Sequence, residues 1–136
     1  MTPAPEPLPH VYPFRFVDRT LERRGPASGR VRALISAGGR AVGPDGRIPP
    51  LTLAEMIAQA ALLLEGGDPG IGRSGFLAGF SDFVVDRPPE AGDALEVDVT
   101  LAARLGPVVR FEGVVTDAEG RRVASGAVTV RKGEAP

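Results

Sequence analysis

The longest apolar stretch of the chain covers residues 51–64, with the sequence LTLAEMIAQAALLL. Only Thr52, Glu55 and Gln59 interrupt it. Two prolines precede the stretch and two glycines follow it, an asymmetry that is typical of the start and the end of a helix. A helix that is apolar on nearly all sides is buried rather than amphipathic. The pattern therefore predicts one central helix over about residues 50–65, roughly 20 Å long.

Shorter segments with apolar residues at every second position predict β-strands. The clearest is residues 93–101, in which the apolar positions are Leu95, Val97, Val99 and Leu101. Further strands are predicted at residues 28–37, 76–86, 108–116 and 122–131. Residues 10–19 predict a short strand or a single helical turn leading into one. Glycine- and proline-rich clusters predict turns or loops at residues 22–29, 38–46, 66–75 and 117–120.

Antiparallel strands joined by short turns, following one long helix, are typical of the α+β class. A curled antiparallel sheet wrapped around the helix would explain why the helix is apolar on every side. We therefore predict a single domain over residues 9–131. A proline-rich, flexible leader is expected at residues 1–8 and a flexible tail at residues 132–136.

Composition narrows the classes of function. The chain of 136 residues is 43% hydrophobic and 24% charged, with a net charge of −1, which is ordinary for a globular domain. No basic block is present, so a nucleic-acid partner is not expected. Neither a secretory signal nor an apolar segment of membrane-spanning length is evident, and a cytoplasmic location is predicted.

The supply of reactive side chains is also limited. Cysteine is absent and His10 is the single histidine. These counts exclude disulfides, thiolate chemistry and a metal site built from cysteines or a histidine cluster. No metal and no cofactor are therefore predicted.

Glu55 is the residue that most needs an explanation. A carboxylate inside a buried helix costs free energy unless it is paired or used. It shares one helix face with Thr52 and Gln59. One interpretation is a capping box, with Thr52 as the N-cap and Glu55 reaching back to it. The other is a carboxylate that faces a substrate, and the two remain open on the residues alone.

Four segments are recognisable together. They are LPHVYPFRFVDR (8–19), IPPLTLAEMIAQAA (48–61), LAGFSDFVVDRPPEAGDALEVDVTL (77–101) and FEGVVTDAEGRRVASGAVTV (111–130). In this order and spacing they resemble the FabZ-type 3-hydroxyacyl-acyl carrier protein dehydratases. The resemblance covers roughly residues 8–130.

The resemblance implies a hotdog fold, in which a sheet wraps a central helix, and a dimer with active sites at the subunit interface. It implies an acyl thioester of acyl carrier protein or coenzyme A as the ligand. It further implies that Glu55 is catalytic. The substrate-binding residues that it implies are Pro49, Gln59, Phe76 and Gly79. For Gln59 the alternative is a buried amide that satisfies backbone groups at the site.

One departure from the family pattern changes the expected function. Family dehydratases combine the helix carboxylate with a histidine in a Gly-His-Phe-Pro motif before the helix, and the two come from different protomers. When Pro49 and Glu55 are aligned with the family's helix motif, Ala41 falls at the position of that histidine. Dehydration needs both a base and an acid, each worth on the order of 10²–10⁴ in rate. Dehydration by this chain alone is therefore not expected.

The chain also resembles the histidine-lacking hotdog subunits of aryl-polyene and related systems, which share a Gly-Phe-Leu run after the helix (here residues 75–77). That resemblance implies a heterodimer with a histidine-bearing hotdog subunit, and a homodimer remains the alternative. Two other functions stay open. The chain would be a non-catalytic acyl-binding hotdog if Glu55 only caps the helix, or a hotdog thioesterase if Glu55 activates water.

A histidine and a set of arginines give two further hypotheses about structure and binding. His10 lies beside Tyr-Pro in the opening segment, where the family histidine is structural, and the same role is expected here. Scattered surface arginines are common, but Arg19, Arg23, Arg24 and Arg73 are candidates for contact with an acidic carrier protein.

Overall fold

The computed structural model of the chain describes residues 16–34, 43, 45–65 and 75–132. Within these ranges the elements are β1 (Val17–Gly25), β2 (Ser28–Ala33), α1 (Pro50–Glu65), β3 (Gly75–Val85), β4 (Leu95–Leu105), β5 (Val108–Thr116) and β6 (Arg122–Lys132). The predictions for the leader at residues 1–8, for His10, Ala41 and Arg73, and for residues 133–136 lie outside the described residues.

The strands form one sheet in the order β1-β2-β4-β5-β6-β3, and every neighbouring pair is antiparallel. The sheet curls around α1, which contacts all six strands. The predicted α+β architecture, a curled antiparallel sheet around one central helix, is therefore confirmed.

The helix has the bounds that the proline and glycine signals predict, because it begins at Pro50 and ends at Glu65. Apolar side chains from the strands meet it on the concave side of the sheet. In β4 and β5 these are Leu95, Val97, Val99, Val109, Phe111 and Val115, each at most 1% exposed. Within the described ranges, no helix is long and apolar enough to cross a membrane.

The turn predicted at residues 22–29 is wrong in extent. β1 continues to Gly25, and the turn itself consists of Pro26 and Ala27, with Ala27 at φ 54°. Glu22 lies opposite Arg30 in the β1–β2 ladder, and their side chains form an ion pair at 3.3 Å. Charged residues are common on an edge strand such as β1, so their presence did not mark a loop.

The strand predicted at residues 93–101 is also longer than expected. β4 begins at Leu95 and reaches Leu105, because Arg104 still pairs with Val109 across the β4–β5 hairpin. The hairpin turns at Gly106, whose φ of 58° lies in the left-handed region. The alternation of apolar residues stops at residue 101 because the end of the hairpin extends into solvent, with Leu105 83% exposed.

The helix packs closely against the sheet at a glycine of β5. A Cβ atom added to Gly113 in β5 would lie 2.4 Å from Cγ2 of Ile57 in α1. Real Cβ atoms do not approach neighbours this closely, and interiors packed at crystal-like density have little room to relax. Gly113 therefore sets how deeply α1 sits in the curled sheet.

Gly113→Ala is expected to lower the free energy of unfolding by about 1–3 kcal/mol, because it overpacks the contact with Ile57. Urea unfolding measures this change. Gly25→Ala is the matched control, since an added Cβ at Gly25 meets nothing within 4 Å, and its effect should stay within about 0.5 kcal/mol. The double variant Gly113→Ala, Ile57→Ala should lose less free energy of unfolding than the two single variants lose in sum. Strictly additive losses would contradict a direct contact between the two residues.

Candidate active site

The start of α1 decides between the two interpretations of Glu55. The N–H of Leu53 donates to the carbonyl of Pro49 at 3.2 Å, so Pro49 is the N-cap and Pro50 is the first helical residue. Thr52 therefore lies inside the first turn, and the interpretation of Thr52 as the N-cap is wrong. Glu55 belongs to the second turn, beyond the reach of a capping box.

Exposure distinguishes Glu55 from its neighbours. Every other residue at positions 53–65 of α1 is buried, whereas Glu55 is partly exposed. Glu55 is therefore the place where this part of the helix presents a polar group to solvent.

Gln59 lies one turn beyond Glu55 and is fully buried, at 0% exposure. Its Oε1 accepts the backbone N–H of Phe16 at 2.8 Å. The side chain thereby joins the helix to the residue that precedes β1. The structure thus gives Gln59 a structural role, and its contact with a ligand stays a prediction.

A pocket of about 450 Å³ adjoins the start of α1. Most of its described lining is apolar, and polar groups come from Asp45 and Arg47. The full lining is Gly43, Asp45, Arg47, Ile48, Pro49, Pro50, Val85 and Pro88. The volume is within the range of small-molecule sites, roughly 300–1,000 Å³. Pro49, predicted to bind substrate, lies in this lining.

The segment before the helix is a tight turn, which we call the pre-helix turn (residue 43 and residues 45–47). The Gly43 N–H donates to the carbonyl of Arg47 at 2.9 Å, and the Gly46 N–H donates to the carbonyl of Gly43 at 3.0 Å. A Cβ at Gly43 would come within 3.2 Å of Asp45 Oδ1. The sequence pattern predicted a turn or loop at residues 38–46 but not these hydrogen bonds.

Backbone hydrogen bonds attach the pre-helix turn to the segment that follows β3. The Ile48 N–H donates to the carbonyl of Pro89 at 2.8 Å, and the Ala91 N–H donates to the carbonyl of Gly46 at 2.9 Å. Backbone hydrogen bonds therefore hold together the two segments that line the pocket, the one before α1 and the one after β3.

The predicted residues of β3 lie on an edge strand of the sheet. Phe76 is opposite Arg131 in the β3–β6 ladder, and Gly79 is opposite Thr129 beside an irregularity in the register. A Cβ at Gly79 would meet nothing within 4 Å, and Gly79 is not among the described residues that line the pocket. The substrate-binding roles of Phe76 and Gly79 stay predictions.

A second carboxylate, Glu65, was missed in the sequence because it closes the apolar run directly before the glycine pair. It is 3% exposed, and Arg104 from the β4–β5 hairpin donates to its Oε1 at 2.8 Å. Arg23 donates to the carbonyl of Leu64. Two guanidinium groups therefore offset the negative charge at the C-terminal end of the helix.

Two of the arginines proposed for carrier-protein contact are thus engaged within the chain. Arg23 binds the end of α1, and Arg24 pairs with Asp98 at 2.7 Å. The hydrogen bonds to Asp98 raise the pKa of Arg24 above its ordinary value.

Among the described residues, no group of three or more histidine, cysteine or acidic side chains is arranged to hold a metal ion.

No family model matches the chain, but individual proteins of similar sequence are known. The 3-hydroxyacyl-[acyl-carrier-protein] dehydratase FabZ of Paracidovorax citrulli is 34% identical over 118 residues, covering 79% of this chain and 79% of the relative. The FabZ of Lactococcus lactis subsp. cremoris is 28% identical over 141 residues, covering 98% of this chain and 95% of the relative.

Solved structures with similar backbones extend the comparison. The dehydratase heterocomplex ApeI:P from Xenorhabdus doucetiae matches with a TM-score of 0.79 at 18% identity, covering 93% of this chain and 88% of that chain. A hypothetical thioesterase of Streptococcus pneumoniae with coenzyme A matches with a TM-score of 0.62 at 14% identity, covering 80% and 81%. The sheet around α1 and these neighbours define the class as the hotdog-fold proteins.

The sequence relatives narrow that class. With 34% identity to FabZ over 79% of its length, the chain belongs to the FabZ family. The predicted hotdog fold and the family resemblance are both confirmed.

Gln59→Met is expected to lower the free energy of unfolding by about 1–3 kcal/mol, because it nearly preserves volume while the Phe16 N–H loses its acceptor. Thermal or urea unfolding measures the change. Leu62→Met is the matched control on the same helix, since it is a volume-conserving exchange at a residue 7% exposed. Equal costs for the two variants would contradict the role of the Gln59 hydrogen bond.

Proposed function

We propose that this chain binds acyl thioesters and supplies the glutamate of a 3-hydroxyacyl-thioester dehydratase whose histidine comes from a second hotdog subunit. The observation that carries the proposal is the partial exposure of Glu55 within an otherwise buried run of α1. A carboxylate retained only to cap the helix would lie in its first turn. Glu55 lies beyond that turn.

The pocket beside the start of α1 supports an acyl ligand. Pro49 in its lining precedes Glu55 by six residues, which is about 9 Å along a helix axis. The apolar side chains of Ile48, Pro49, Pro50, Val85 and Pro88 offer a hydrocarbon surface. A chain bound there would place its functional end within the same region of the molecule as Glu55.

The chemistry explains why a second subunit is required. Dehydration removes the proton on the carbon beside the thioester carbonyl, and the electron pair forms the new carbon–carbon double bond. The bond from the next carbon to its hydroxyl group breaks, and that oxygen leaves as water after it gains a proton. One group takes the first proton while another gives the second, so two positioned groups are needed. Ala41 contributes neither, and Glu55 serves one of the two roles.

The relatives support the ligand class and the pairing in this proposal. The sequence relatives are 3-hydroxyacyl-[acyl-carrier-protein] dehydratases. The ApeI:P structure is a dehydratase heterocomplex, which is a precedent for a dehydratase assembled from non-identical subunits. The solved neighbours that hold coenzyme A or acetyl CoA support a thioester ligand in this fold. The carrier in our proposal is therefore acyl carrier protein or coenzyme A.

The purified chain alone is expected to bind a 3-hydroxyacyl thioester without forming the enoyl product, because it lacks the second proton-transfer group. Product analysis by mass spectrometry and a thiol assay, run with and without a histidine-bearing hotdog subunit, measure this. Enoyl product from the chain alone would remove the need for a partner. Release of free thiol would instead identify a thioesterase, and binding without turnover in both arms would identify a non-catalytic acyl-binding protein.

A further inference from the structure

The pocket beside α1 has a polar feature that an acyl chain does not use. Its described lining is hydrocarbon apart from the backbone of Gly43 and the side chains of Asp45 and Arg47. A guanidinium group in the lining of a largely apolar pocket favours ligands that carry an anionic group.

The position of Arg47 is fixed by its backbone. Its N–H donates to Asp45 Oδ1 at 3.1 Å, and its carbonyl accepts the N–H of Gly43 at 2.9 Å. It also forms a short antiparallel bridge with Glu90. Because the backbone is already held, binding of a ligand would order only the side chain of Arg47.

The guanidinium group itself is only loosely engaged. Its side chain is 58% exposed, and its Nε lies 4.0 Å from Asp45 Oδ2, at the limit of an ion pair. The other oxygen of Asp45 is occupied by the Arg47 N–H. Among the described residues, no other ion pair of Arg47 is present, including with Glu90 across the bridge. Its terminal nitrogens are therefore available to a planar or tetrahedral oxyanion.

We propose that Arg47 determines the specificity of this pocket by binding an oxyanion on a ligand whose body is apolar. The anion is a carboxylate borne by an acyl chain in the pocket or, where the phosphopantetheine arm occupies the pocket instead, the phosphate of that arm. Both present oxygens that a guanidinium group binds through paired hydrogen bonds. This inference rests on the proposed function, since it concerns the ligand of the same pocket.

The test measures dissociation constants for three stable amide analogues of one acyl thioester. The first is the neutral acyl-pantetheine amide, the second carries the 4′-phosphate, and the third carries a terminal carboxylate on the acyl chain. The full chain is expected to bind one of the charged analogues about tenfold more tightly than the neutral one. Arg47→Gln should abolish that advantage, so that the variant binds the three analogues about equally, and Arg47→Lys should retain part of it. Which charged analogue gains affinity distinguishes the phosphate from the carboxylate.

Arg30→Gln is the matched control, because Arg30 is 45% exposed on β2 and pairs with Glu22 and Glu96. It removes the same charge away from the pocket and should preserve the tenfold difference. Equal binding of all three analogues by the parent chain, or an advantage that survives Arg47→Gln, would overturn this inference alone. Failure of the parent chain to bind any analogue would overturn the proposed function as well.

Discussion

The fold depends on enclosing a helix that is apolar on almost every side. α1 is enclosed by the concave face of the sheet, and the contact between Gly113 and Ile57 leaves no space for a side chain on β5 at that point. In such an interior, a polar side chain needs a hydrogen-bond partner or contact with water. Gln59 accepts the Phe16 N–H and Glu65 accepts from Arg104, whereas Glu55 keeps partial exposure to solvent. Gln59 and Glu65 are thereby held in the interior of the fold, while solvent still reaches Glu55.

The two ends of the helix also differ in the groups that surround them. At the C-terminal end, guanidinium groups from two hairpins contact the Leu64 carbonyl and the Glu65 carboxylate. At the N-terminal end, the first positions are prolines, which lack N–H donors. There the backbone of the pre-helix turn is tied to the segment after β3 and leaves an apolar pocket between them. The N-terminal end, which adjoins the pocket, is thus the end nearer to Glu55.

The sequence was sufficient for the elements whose signals are local. The bounds of α1 follow from the flanking prolines and glycines, and β4 and β5 follow from alternating apolar residues. The family was recognisable because four segments occur in the correct order. These signals do not depend on contacts between distant parts of the chain.

Other features depend on contacts that no local pattern records. The β1–β2 turn is shorter than its cluster of turn residues, because Glu22 pairs with Arg30 across the strands. The pre-helix turn and the adjoining Ile48 are held in place by backbone hydrogen bonds to Ala91 and Pro89, more than 40 residues away in the chain. Glu65 and Arg104 are likewise brought together only by the fold. The pocket and its guanidinium group were therefore out of reach of sequence reasoning, although Pro49 was correctly expected near the start of the helix.

The central claim is that Glu55 completes an active site whose histidine belongs to another subunit. The most direct measurement is complementation of a FabZ subunit that keeps its histidine while its helix glutamate is replaced by glutamine. Mixed oligomers with this chain should form enoyl product, and Glu55→Gln in this chain should lower that rate by about 10²–10⁴. Glu112→Gln makes the same change at an exposed position of β5 and should leave the rate unaltered. Equal rates for the parent chain and its Glu55→Gln variant, or no product although mixed oligomers form, would contradict the claim.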